Sequence, residues 1–194
     1  MKIVMCAALF AGSLTAAPAA AATACYAGTW TLTAMKVVDR ETLPEGGVET
    51  TVHKGKPLIK MVLSATSVKY TFTGSKKTSF TRTGGVEDLR GWHQYSGVLT
   101  MRAKVVGDTK GRVAMIAKGA SGNAGETGNF IPSTQPVGDP VPLLSGLEDG
   151  FYDTPLVKNA AFTCSGDSMR FVDKRTYRKI TTAADLRFTR ASQR

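Results

Sequence analysis

Apolar and polar residues alternate in short runs along most of this chain, and that period of two constrains the fold more than any other feature. "GTWTLTAMKVV", "LIKMVLSA", "SVKYTFTG", "TSFTRTG", "YSGVLTMRAKVVG", "GRVAMIAKG", "AAFTCSGDSMRFV" and "ADLRFTRAS" follow one another, separated by Gly, Pro, Asp and Ser. The apolar series spaced i, i+3, i+4 that marks an amphipathic helix is missing. Successive strand residues point to opposite faces, so each run buries one face and wets the other. In the first run this phase puts Trp30, Leu32 and Ala34 together and Met35 on the opposite face. Gly166-Asp167, between two alternating runs, is a two-residue hairpin signal. Eight or nine such strands at close spacing predict an all-β antiparallel barrel or sandwich.

Two stretches break the rhythm. Asp39 to Pro57 reads as a polar connection. Residues 119–159 form a long Pro/Gly-rich insertion before the C-terminal hairpin, and a loop of that length is either functional or a flexible excursion. Its apolar residues, among them Phe130, Leu143, Leu144, Phe151 and Tyr152, predict that it packs down. A short helix is expected around Leu143–Leu147, and a lid role stays open.

Residues 1–24 read as a secretory signal peptide. Lys2 precedes the apolar core "IVMCAALFAGSL", and Ala22 and Ala24 give the small-x-small pattern before Cys25. The core is shorter than the roughly 20 apolar residues that a membrane-spanning helix needs. The mature chain is then one domain, residues 25–194, placed in the periplasm, the cell envelope or the medium. Cys6 leaves with the signal, so Cys25 and Cys164 remain as an even pair in an oxidising compartment, which predicts a disulfide. Lipidation of Cys25 is the alternative, although Ala22 stands where a lipobox usually carries Leu.

With 25 Lys and Arg against 15 Asp and Glu, the chain carries a formal charge of +10. Such an exterior favours anionic membrane surfaces and cell-wall polymers. The charges are spread along the chain, so a specific nucleic-acid site is not expected.

Gly28-x-Trp30 at the opening of the first strand, with Arg190 in the last, resembles the lipocalin (calycin) arrangement. The wider layout of an export signal, an early Cys, "GTW", "FTCSGDSMRF" and a closing "LRFTRA" looks like the small secreted or lipid-anchored lipocalin-like barrels of bacteria. The resemblance implies one up-and-down barrel of about eight strands, closed by Arg190 stacking on Trp30. It also implies an apolar or amphiphilic cavity.

Catalytic signatures are few. His53 and His93 are far apart in sequence, and no metal-spaced cluster, G-x-S-x-G elbow or P-loop is present. We therefore expect no metal, no cofactor and no enzyme, but a monomeric binding protein for a small lipophilic ligand. "EDLRGWHQYSG" offers Arg90, Trp92, His93 and Tyr95 as a barrel mouth, with Trp92 as a core plug in the blander reading. Tyr70, Phe72 and Met101, with Leu32, Val62 and Leu99, are candidate cavity liners.

Overall fold

The computed structural model describes residues 24–132, 137–152 and 154–192, so residues 1–23 of the expected signal segment 1–24 lie outside the described residues. Eight strands form the barrel. They are β1 (Gly28–Thr42), β3 (Ile59–Leu63), β4 (Ser67–Thr71), β7 (Val98–Gly107), β8 (Lys110–Gly122), β11 (Asn159–Ser165), β12 (Ser168–Tyr177) and β13 (Ile180–Arg190). They follow chain order round the ring, every neighbour antiparallel, and β3 closes on β1. This is the expected up-and-down topology. Five further strands extend it as a flange: β2 (Val48–Gly55), β5 (Thr78–Thr83), β6 (Leu89–Ser96), β9 (Gly125–Phe130) and β10 (Val141–Pro142).

The flange departs from β1 because that strand serves two partners in turn. Gly28 to Leu32 pair with β3, whereas Met35 to Thr42 pair with β2. A register shift opposite β13 between Leu32 and Ala34 marks the fork. A bulge adds a residue and reverses the phase of the alternation beyond it. Met35 and Val37, not Ala34, therefore join Trp30 and Leu32 in the core, which corrects the phase expected from strict alternation.

The polar run Asp39 to Pro57 is no simple connection either; it supplies the end of β1 and all of β2. The Pro/Gly-rich insertion likewise contains the end of β8, then β9, β10 and the helix α1 (Leu143–Glu148). The helix falls where expected and buries Leu143 and Leu147. The Tyr152 hydroxyl then ties this segment to β8, donating to the Met115 carbonyl at 2.7 Å and accepting from the Ala117 amide at 3.2 Å.

The barrel interior is filled with side chains. Trp30, Tyr70, Phe72, Met101, Phe171 and Phe188 are all essentially inaccessible to solvent. Each such burial stabilises the fold by roughly 1.5–3 kcal/mol against exposure. Val62, expected to line a cavity, points outward and is 46% exposed. An eight-stranded ring is just wide enough for its own side chains to fill, and here they do.

One end of the barrel is sealed. The Arg190 guanidinium lies 4.3 Å from the Trp30 ring, as expected, and donates to the carbonyls of Cys25 at 2.7 Å and Ala27 at 3.1 Å. Gly28 sits under it with φ +133°, where a Cβ would lie 2.8 Å from Arg190 Nη1. The Trp30 indole N–H donates to the Tyr26 carbonyl at 2.8 Å. Cys25 and Cys164 form the disulfide across this end, engaging the sulfur that lipidation would need.

Candidate functional site

At the opposite end the inner face changes character. Beyond Val37 the inward positions of β1 are Asp39 and Glu41, and the flange carries the same face sideways. His53 of β2 stands opposite Val37, Thr51 opposite Asp39 and Glu49 opposite Glu41. Phe80 of β5 is opposite His53, and Arg82 opposite Thr51. On β6, Gly91 faces Phe80 and His93 faces Thr78, while β9 sets Phe130 opposite Gly91. These registers make a half-open cup of about 250 Å³ with Phe151 at its margin. A narrower space of about 130 Å³ runs deeper, past Glu126, Tyr152, Arg175 and Thr182.

Gly91 is what lets the aromatic wall form. A Cβ there would collide with the Phe80 ring and the Asn129 carbonyl. Without one, Phe80 and Phe130 meet edge to face at 5.7 Å, and Phe80 lies 4.6 Å from the His93 ring. The chain's two histidines, 40 positions apart, come within 5.3 Å of each other. Each has a carboxylate: His53 Nε2 is 3.4 Å from Asp39, and His93 Nδ1 contacts Glu126.

Asp39 also accepts the Thr182 hydroxyl at 2.5 Å. Burial works against its charge, but hydrogen bonds from His53 and Thr182, and the nearby His53 and Arg175, together hold its carboxyl below the ordinary value. A lowered folded-state value gives stability that is present above the ordinary carboxylate range and lost as pH falls through the folded value. In Asp39→Asn this contribution is absent. The wild type is therefore expected to be the more stable protein near neutrality, and the gap should close on acidification below about pH 4. Urea midpoints of both proteins from pH 6 to 3 measure it; a gap that stays constant contradicts the assignment.

Beneath the cup, Arg175 Nη1 pairs with Asp173 at 2.7 Å and Nη2 donates to the Tyr152 carbonyl at 2.5 Å. The Asp173 carboxylate, fully buried, also accepts the Lys158 amide at 3.0 Å. This bonding holds the segment that carries Phe151 and Tyr152 onto β12.

Of the residues expected to bind ligand, only His93 lines the cup. Arg90 and Trp92 lie on the outer face of β6, where Lys77 sits 3.6 Å above the indole. Trp92 is thus neither mouth nor core plug. Tyr95 is buried beside Phe72, at 5.9 Å. Tyr70, Phe72 and Met101 belong to the packed core, and burial pushes the Tyr70 phenol far up. Asp39, Glu41, Glu49, His53, Phe80, Glu126 and Phe130 were not anticipated. No local signal could have found the strand residues: the register shift after Leu32 hides the phase of Asp39 and Glu41, and both faces of β2 are largely polar.

The described residues contain no group of three or more His, Cys, Asp or Glu side chains arranged to hold a metal ion. Fold and site together define a closed eight-strand antiparallel barrel with extra outer strands and a polar-aromatic cup at one end. Comparison with protein-family models, curated proteins and solved structures gave no match.

Proposed function

We propose that this chain is an exported, non-catalytic binding protein of lipocalin-like type, and that it holds a small amphiphilic molecule in the end cup rather than inside the barrel. The observation that carries this reading is the lining of the cup. Phe80, Phe130 and Phe151 offer apolar faces beside His53, Asp39 and Glu41, in the mixture typical of small-molecule sites. The filled interior favours the same location. Trp30 under Arg190 supports the lipocalin-like kinship, and the Cys25–Cys164 bridge supports a compartment outside the cytoplasm.

Native mass spectrometry of the protein incubated with a small-molecule extract of its host cells tests the reading. One bound molecule per chain is expected, with occupancy reduced about tenfold in Phe130→Ala. Uptake of nothing, or uptake indifferent to Phe130, would contradict it.

A second reading rests on the neighbouring concavity of about 440 Å³, where Arg178 and Lys179 outnumber Glu41 beside Phe151, Tyr177 and Ile180. Cations beside aromatic rings suit an anionic surface. Binding to anionic vesicles should then collapse at high salt, because exposed charges are screened within about 10 Å at 0.1 M. Binding of an apolar ligand body should respond little to salt.

A further inference from the structure

The basic exterior of this protein turns acidic inside the cup. Asp39 and Glu41 face it from β1, Glu49 from β2 and Glu126 from β9; Arg82 of β5 is the cation at the mouth, and Arg175 of β12 lies deeper. Both cations are engaged. Arg82 is 3.4 Å from Glu49, and Arg175 is paired with Asp173. His53 and His93 are each turned to a carboxylate, as described above. The exposed Arg178 and Lys179 line the neighbouring concavity together with Glu41 and Phe151, and Arg178 is turned onto Tyr177 at 5.2 Å.

Glu41 stands apart from this pairing. It forms no ion pair among the described residues, and its cross-strand neighbours are Ile180 on one side and Glu49 on the other. Like charges directly opposite in a ladder destabilise it. The register therefore sets two carboxylates opposite each other at the mouth of a concavity, with Arg82 on Glu49, and with Arg178 and Lys179 sharing the concavity on the other side of Glu41 without an ion pair to it. Such a pair is relieved when a second positive charge enters.

One further feature suits the same visitor. The faces of Phe80, Phe130 and Phe151 attract a cation through the ring quadrupole, the principle of aromatic cages for ammonium groups.

We infer that the cup selects an organic ammonium: a positively charged nitrogen held between Glu41 and Glu49, on a small apolar body lying against the phenylalanines. The inference rests on the cup being a ligand site and adds the charge of what it takes. It also gives Glu41 a cost in the empty protein that the ligand offsets.

Three probes of one shape test it: 2-phenylethylammonium, 2-phenylethanol and phenylacetate, titrated by calorimetry into wild type and Glu41→Gln. The ammonium should bind wild type at least tenfold more tightly than the alcohol, and the carboxylate least. In Glu41→Gln the ammonium should fall to the affinity of the alcohol, the alcohol should be unchanged, and Tm should rise because the repulsion is gone. That rise also shows that the variant is folded. An alcohol or carboxylate that binds as tightly as the ammonium, or a preference that survives Glu41→Gln, overturns the charge selection while leaving the cup a binding site. Failure of all three probes to bind overturns both.

Discussion

A chain in which Cys25 and Cys164 are both replaced by Ala should unfold about 4 kcal/mol more easily than wild type. The bridge spans 139 residues, and closing a loop that long removes about 4–5 kcal/mol of chain entropy from the unfolded state. The folded state loses an anchor as well. Cys25 belongs to the short segment over the sealed end, where its carbonyl receives Arg190 and its amide donates to Asp108 at 2.6 Å. Without the bridge this segment is tied by polar contacts, by Tyr26 packing on Phe162 at 5.7 Å and by the small apolar Ala24 and Ala27 against the core. Urea midpoints of the two proteins, with wild type also measured under reducing conditions, give the difference. A loss under about 1 kcal/mol would mean that Trp30 and Arg190 close this end unaided.

Asp173→Ala should cost about 3 kcal/mol, the second large effect. Removing one member of a buried pair strands the other, at a typical cost of about 3–5 kcal/mol. We take the lower end because the Arg175 side chain retains 12% exposure. The substitution also strips the Lys158 amide of its acceptor and loosens Arg175, which holds the Tyr152 carbonyl. Ligand uptake at the cup should therefore weaken even where the variant is fully folded, since Phe151 is carried by the same segment. Thermal unfolding and uptake measured on one preparation check both parts; a variant with wild-type Tm would show that Asp173 is not the support we assign.

The sealed end was legible in the sequence and the open end was not, for physical reasons. Leu186 and Phe188 alternate cleanly with Arg187 and Thr189, so period two puts Arg190 on their face, and the resemblance to lipocalins implies Trp30 as its partner. The two cysteines within residues 25–194 allow only one intramolecular pairing with each other. The flange offers no such contrast. In β2, Glu49, Thr51 and His53 alternate with Thr50, Val52 and Lys54, so both faces are largely polar and the pattern does not say which is inward. In β9, "GETGNF" reads as a loop because two of its six residues are Gly. The meeting of His53 with His93 depends on two successive strand registers, β2 with β5 and β5 with β6, which no local pattern encodes. The fork in β1 adds one residue of slip, enough to exchange Ala34 for Met35 in the core.

The central claim is that ligands enter the end cup and leave the barrel core untouched, and methyl and ring NMR separates the two directly. Met61, Met101 and Met169 report from the buried interior, and His53 and His93 from the cup. On titration with 2-phenylethylammonium the histidine ring signals should shift with saturation, while the three methionine methyl signals stay in place. Methionine shifts with unmoved histidines would put the ligand inside the barrel and contradict the account.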